Sequence, residues 1–290
     1  MTSRPHWPLL LPAIALLALV VGVPILRVLW MSLHRTDVSM GGQASFVGLE
    51  QFFRLWEDGQ WKRAISNTVV FTLSSVTIEL CLGLGFALLL HRVFRGRSWM
   101  RALVVLPWVL PTAVMALAWA WIANDTFGVA NDVLRRLHLI GEPVAWLGRP
   151  ATAMATIVLA DVWKTTPFVT LVLLSGLSAI PESVVEASRL DGLGTWPRLF
   201  RVLLPLLLPA ILVAVLFRLL QAFAAFDLVY VMTGGGPGGS TETISLYAYR
   251  NYFRYLDFGY GSAVAVQAVV LLAFAAWIIV RASREREGAA

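Results

Sequence analysis

Hydrophobic residues run along this chain in long unbroken blocks rather than in alternation. The blocks cover about 9–33, 65–90, 102–123, 152–177, 203–226 and 262–281. Each is close to the roughly 20 residues an α-helix needs to cross a hydrocarbon core. Lipid offers a backbone no hydrogen-bond partner, so a span of this kind closes its own ladder as a helix. The dyad alternation of a membrane β-barrel is missing from the Leu-, Ala- and Val-rich runs. The pattern predicts an all-α integral membrane protein of six transmembrane helices, read as one domain over residues 1–290. The first run, with Arg4 before it, also suits a signal peptide. It is long, carries Arg27 and Trp30 at its far end and lacks a clear small-x-small site, so it is expected to be retained.

Composition agrees with that class. Hydrophobic residues make up 58% of the 290 and charged residues 14%, too few charges to cover a soluble domain. The net charge of +6 is concentrated in short arginine clusters, a topology signal rather than a nucleic-acid footprint. The segment 91–101 carries Arg92, Arg95, Arg97 and Arg101 and is expected on the cytoplasmic side. Counting outward places both termini and the 178–202 loop there too. The loops 34–63, 124–151 and 227–261 fall outside, although Arg35, Arg54, Lys62 and Arg63 weaken the signal in the first. The third contains Thr233-Gly-Gly-Gly-Pro-Gly-Gly239, a turn that needs glycine backbone. After it come Tyr247, Tyr249, Tyr252, Phe253 and Tyr255, which suit an interfacial aromatic belt.

Little in the chain suggests chemistry of its own. A phosphate-cradling loop ends in Gly-Lys-Ser/Thr, and the two lysines, Lys62 and Lys164, each follow Trp. The four histidines are scattered near span ends, the one cysteine, Cys81, lies in an apolar run, and no nucleophile–His–acid grouping stands out. The expectation is a protein that is not an enzyme, holds no metal or cofactor, and takes energy from elsewhere.

The loop 178–202 is the polar exception. Pro181-Glu182 suits a helix start. Val184, Val185, Ala187 and Leu190 form an apolar stripe flanked by Glu186, Arg189 and Asp191. Ala187 and Ser188 are small enough for close approach, and Gly192 is positioned to end the helix. The stripe suits an amphipathic helix lying on the bilayer as well as it suits a docking element for a second protein.

The spacing Glu186-Ala187-Ser188, Gly192, Val202-x-Leu204-Pro205 resembles the EAA motif of binding-protein-dependent ABC importer permeases, with Ser188 for the second Ala and Val202 for Ile. Asp191-Gly192, Trp196, Arg198 and Arg201 are similar to the carbohydrate-uptake branch. So are Asn67-Thr68, Arg101 with Pro107 and Pro111, and Trp119 with Gly128 and Asn131. Thr233–Pro237 and Gly259-Tyr260-Gly261-Ser262-Ala263 extend the likeness over nearly the whole chain. Val162–Phe168 looks most like trehalose/maltose-type permeases. The resemblance implies a type I importer fold in a prokaryotic cytoplasmic membrane and a second homologous permease. It also implies two cytoplasmic ATPase subunits that bind ATP and Mg, and an extracytoplasmic solute-binding protein. Glu186, Ala187, Ser188, Arg189, Asp191 and Gly192 would then dock on the ATPase, Glu186 against a basic group. The cargo implied is a disaccharide such as trehalose or maltose, with glycerol-3-phosphate as the alternative.

Charges inside spans are costly and mark cavities or partners. Here they are Glu79, Asp161, Lys164 and Arg218. Asp161 and Lys164, one turn apart, are placed to neutralise each other, and Glu79 and Arg218 to pair between helices. Sugars are held by hydrogen bonds and by stacking on aromatic faces. Asp161, Trp163, Lys164 and Thr165 on the fourth helix and Gln221, Asp227 and Tyr230 on the fifth are the expected pathway residues. Pro167 is expected to free backbone carbonyls toward the same cavity. An ion-driven carrier using Glu79 and Asp161 is a competing reading that lacks an evident inverted repeat. A scaffold without a solute path is another.

Overall fold

A computed structural model describes residues 7–36, 44–92 and 95–287. Arg4, His6 and the Val93-Phe94 pair of the arginine-rich segment lie outside the described residues, as do the side chains before Leu10 and after Arg281. The helices are α1 (Leu10–Ser32), α2 (Glu50–Glu57), α3 (Gly59–His91), α4 (Arg97–Val109), α5 (Thr112–Ile122) and α6 (Val129–Arg136). They continue as α7 (Pro150–Ala179), α8 (Glu182–Leu190), α9 (Thr195–Phe223), α10 (Asp227–Met232), α11 (Ile244–Tyr249) and α12 (Phe258–Glu287). Short strands β1 (His34–Arg35) and β2 (Ser45–Phe46) pair antiparallel. Five helices among the described residues are long and apolar enough to cross a membrane: α1, α3, α7, α9 and α12 up to Arg281.

The third expected span is not one straight helix. α4 and α5 meet at a 95° bend, and only together do they bring the number of spans to six. The cause is local. Pro111 lacks an N–H and crowds the residue before it, which pushes Leu110 out of helical space to φ −69°, ψ 136°. The fifth span also ends earlier than its hydropathy suggests. α9 ends at Phe223, Ala224–Phe226 leave the helix, and Asp227 opens the separate α10. Thr243 Oγ1 donates to the Ala225 carbonyl at 3.0 Å and secures that break. By contrast α7 runs unbroken through Pro167, which is buried.

The chain divides into two compact units. The first contains residues 1–62 and 244–271. In it Asp58 accepts hydrogen bonds from the hydroxyls of Tyr247 and Tyr260. Arg54 lies 4.4 Å from the Tyr260 ring centre and binds Asp257 at 3.0 Å. Tyr247 is therefore a buried polar anchor and not a member of an interfacial belt, whereas Phe253 and Tyr255 are exposed. Gly259 is required by proximity, because a Cβ there would come 2.1 Å from the His34 carbonyl oxygen.

The second unit contains residues 63–243 and 272–290. Its core joins Ala87 and Leu90 of α3, Val169, Leu173, Leu174 and Leu177 of α7, and Leu207 and Ala214 of α9. Small residues let these helices approach closely, as in other membrane bundles. A Cβ on Gly83 would meet Val169 at 2.7 Å, and one on Gly176 would meet Ala210 at 2.6 Å. The glycine turn 233–239 takes positive φ at Gly234, Gly235, Gly238 and Gly239 and a cis Gly236–Pro237 bond. Asn67 Nδ2 donates to the carbonyls of Gly239 and Glu242, at 2.9 and 3.1 Å.

Candidate functional site

Three helices of the second unit bring their charges to one point. Arg218 on α9 is 2% exposed, Glu79 on α3 is fully buried and Asp161 on α7 is 8% exposed. The Arg218 guanidinium donates Nε and Nη2 to the two Glu79 oxygens, and Nη2 also reaches Asp161 Oδ2 at 2.7 Å. Its Nη1 donates to Gln221 Oε1 at 3.0 Å. Thr165 Oγ1 lies 2.7 Å from Glu79 Oε1 and 2.6 Å from its own helix's Asp161 carbonyl. A planar fork that engages two carboxylates is a task for Arg rather than Lys, whose ammonium is a point charge.

This arrangement replaces the expected local pair. Asp161 turns to Arg218, and Lys164 Nζ instead donates to Thr112 Oγ1 of α5, at 2.5 Å. The separation of three residues suggested Asp161–Lys164 neutralisation, but a guanidinium with two carboxylates satisfies more hydrogen bonds than a single ammonium.

Above the cluster opens a cavity of about 340 Å³. Asp161, Lys164, Thr165, Gln221 and Asp227 line it, as expected, together with Trp108, Thr112, Arg218 and Phe226. Trp163 does not. It sits edge-on to Trp119, with ring centres 6.1 Å apart, on the other side of α7. Tyr230 does not line it either, and stacks behind Phe226 at 5.2 Å. Both Asp227 and Tyr230 belong to α10 rather than to the fifth span. Pro167 is absent from the lining. The aromatic faces over the cavity are thus Trp108 and Phe226. Sequence reasoning had no signal for Trp108, inside the expected run 102–123, and only a place at a span end for Phe226, since their positions depend on the α4–α5 bend and on the break after Phe223.

A second element is the short helix of the polar 178–202 loop. α8 is a nine-residue helix with Glu186, Ala187 and Arg189 exposed and Ser188 buried, its hydroxyl donating to the Val185 carbonyl at 2.6 Å, and the capping residue Asp191 is exposed too. Leu190 is 89% exposed, an apolar side chain left unpartnered within the chain. Gly192 has φ +75°. Its N–H donates to the Arg189 carbonyl, and that of Leu193 donates to Ser188. Together these form a Schellman stop that a residue with a Cβ adopts only with strain. Arg198 Nη2 donates to the Leu193 carbonyl at 2.7 Å and ties the turn to the start of α9.

Comparison with known proteins places these features in context. A family model described as binding-protein-dependent transport system inner membrane component matches residues 79–286. The trehalose/maltose transport system permease protein of Thermococcus litoralis is 41% identical over 264 residues, covering 91% of this chain and 88% of that protein. The sulfoquinovosyl glycerol transport system permease protein of Agrobacterium fabrum is 41% identical over 258 residues, covering 89% and 83%. The trehalose transport system permease protein of Mycobacterium tuberculosis is 37% identical over 275 residues, covering 94% and 86%. A crystal structure of a bacterial ABC transporter for alginate import superposes with a TM-score of 0.84 at 21% identity, over 96% of this chain and 94% of that one. At that identity the likeness shows the fold alone.

Proposed function

Because the chain belongs to the binding-protein-dependent transport system inner membrane components, we propose that it is the sugar-translocating permease subunit of an ATP-driven importer working by alternating access. The observation that carries the cargo class is the cavity beside Arg218. Trp108 and Phe226 supply aromatic faces, and Gln221, Lys164, Thr112 and Asp227 supply donors and acceptors around them. That combination suits hydroxyl-rich rings, and relatives named for trehalose and maltose agree with it. Glycerol-3-phosphate fits less well. Glu79, Asp161 and Asp227 outnumber Lys164 and Arg218, and Arg218 is already held by two carboxylates. An uncharged disaccharide is therefore the preferred cargo. The same ion pairs argue against an ion-driven carrier, since Glu79 and Asp161 are already engaged by one guanidinium.

In this reading residues 1–290 act as one permease domain, paired with a second homologous permease. Two cytoplasmic ATPase subunits hold ATP and Mg, and an extracytoplasmic binding protein delivers the sugar. The 91–101 and 178–202 segments and both termini face the cytoplasm. Glu186, Ala187 and Arg189 meet the ATPase, and Ser188, Asp191 and Gly192 shape the turn that presents them.

Uptake of radiolabelled trehalose and maltose by the reconstituted importer tests the cargo site. Loss of one neutral hydrogen bond of about 1 kcal/mol weakens binding roughly fivefold. Gln221→Ala and Asp227→Asn should each show a loss of that order, and Phe226→Ala a larger one. Uptake indifferent to all three would overturn the assignment of this cavity to the sugar.

A further inference from the structure

α5 and α10 enter the second unit in the same way. Each starts just after a helix break, α5 behind Leu110-Pro111 and α10 behind Ala224–Phe226. They pack on each other more extensively than either packs on α7. The neighbouring helices behave differently, since α4 and α9 both lie closely along α7. α3, α7 and α9 also share one core and are joined by the buried Glu79–Arg218–Asp161 cluster. α5 and α10 are thus a pair appended to a closed bundle.

α5 is flanked by empty space on its α7 side. The sugar cavity of about 340 Å³ opens at its start, beside Thr112. An apolar cavity of about 480 Å³ opens at its end, beside Ile122 and Ala123. α7 is a wall of both, through Lys164 in the first and Leu159 in the second. Protein interiors seldom leave such voids, and atoms lining them forgo dispersion contacts. Two side chains bridge the gap. Trp163 meets Trp119 edge-on, and Lys164 Nζ donates to Thr112 Oγ1 at 2.5 Å. Thr112 is the first residue of α5, so the ammonium faces the positive end of that helix, where a cation is disfavoured. One hydrogen bond held against a dipole suits a contact that is made and broken.

We propose that α5 and α10 form a lid over the sugar cavity, hinged at Leu110-Pro111 and Ala224–Phe226, and that Lys164 is the positioning residue that clasps it to the bundle. Residues at element ends are where hinges absorb such movement. Thr112 and Asp227 travel with the lid, whereas Asp161, Thr165 and Gln221 stay with the bundle, so displacement parts the two walls of the cavity. The lid rests on the sugar reading only for what it covers.

The test uses the complete importer in nanodiscs, with the exposed Cys81 replaced by Ser. Spin labels on cysteine pairs report three distances: Val114–Leu159 between lid and bundle, Leu73–Leu159 within the bundle and Val114–Val231 within the lid. Leu73, Val114 and Leu159 are exposed, so labels there replace no core side chain. Trapping with ATP and vanadate should shift the first distribution and leave the other two in place. Thr112→Val removes the acceptor at nearly constant shape. It should lower the ratio of seated to displaced lid roughly tenfold, the worth of a hydrogen bond to a charged group. Thr112→Ser keeps the acceptor and should match the wild type. Unfolding temperature identifies a variant that fails to fold, and the wild-type distances stand without it. A first distance as constant as the second overturns the lid, as does a Val114–Val231 distance that shifts with it. A folded Thr112→Val chain with the wild-type distribution overturns the clasp, and so does Thr112→Ser behaving like Thr112→Val. Uptake indifferent to Gln221→Ala, Asp227→Asn and Phe226→Ala would instead remove the sugar from the cavity, with the three distances still deciding the lid.

Discussion

Arg218 directs its guanidinium to residues on three helices, and the consequences of removing it are correspondingly sharp. Arg218→Met leaves Glu79 and Asp161 buried without a counter-charge. Breaking a buried pair in this way costs roughly 3–5 kcal/mol. The variant should therefore unfold at a distinctly lower temperature in detergent, and Arg218→Lys should recover only part of the loss. Asp58 gives a pH-dependent counterpart in the other unit. Burial disfavours its carboxylate, but hydrogen bonds from Tyr247, Tyr260 and the backbone N–H groups of Gln60 and Trp61 outweigh it and hold the group below its ordinary value. A depressed folded-state pKa stabilises above the unfolded value, and that contribution fades as pH falls through the folded one. The stability gap between wild type and Asp58→Asn should be full at neutral pH and close only below the usual carboxylate range, as thermal unfolding across pH would show. The partner hydroxyl of Tyr247 is pushed up to about 12, first by burial and then by its bond to Asp58, so it stays protonated throughout that series. At this scale the sequence revealed which charges lie inside apolar runs. It also paired Glu79 with Arg218, as the structure does, but gave Asp161 to Lys164 instead of Arg218. Arg218 stands 139 residues from Glu79 and 57 from Asp161, and the rotation of each helix decides which groups meet.

Helix lengths and helix stops were the most readable elements. The expected run 65–90 lies within α3, and 152–177 lies within α7, because long apolar segments leave the backbone no alternative in lipid. Gly192 was legible as the end of α8 for the same kind of reason, a positive φ that only glycine takes freely. Gly192→Ala should cost about 1 kcal/mol through left-handed strain. It should also loosen the turn, measured as a fall in sugar-stimulated ATP hydrolysis larger than any fall in chain stability. What hydropathy did not reveal were the interruptions. The average over 102–123 is indifferent to a bend at Leu110-Pro111, and the average over 203–226 continues past the true end of α9. Pro111 and Pro167 look alike in sequence, yet one ends a helix and the other is buried within one. The difference lies in packing. Thr166 donates to the Val162 carbonyl at 2.6 Å one turn below Pro167, and α7 is enclosed along most of its middle.

For the whole molecule the central prediction concerns energy transfer. Glu186 is exposed on α8 and engages no described residue in an ion pair, so reversing its charge should leave the folded chain intact. Glu186→Lys should nevertheless abolish sugar-stimulated ATPase activity and uptake in the assembled importer, with the binding protein still able to bind sugar. Normal stimulation in that variant would remove the docking role. The family was legible in the motif from Glu186 to Pro205 and in the shorter motifs that accompany it along the chain. The cavity proposed for the cargo was not, because a bend and a helix break bring its side chains together. The buried charges also bear on a quantity that packing does not touch. Glu79, Asp161, Lys164 and Arg218 sum to zero on the spanning helices, so a rigid displacement of that group through the bilayer moves no net charge. Moving one elementary charge across the whole field is worth roughly 2.3 kcal/mol per 100 mV. Wild-type uptake at fixed ATP should accordingly be indifferent to an imposed membrane potential, whereas Lys164→Gln, which leaves one negative charge uncompensated, should make the uptake rate voltage-dependent.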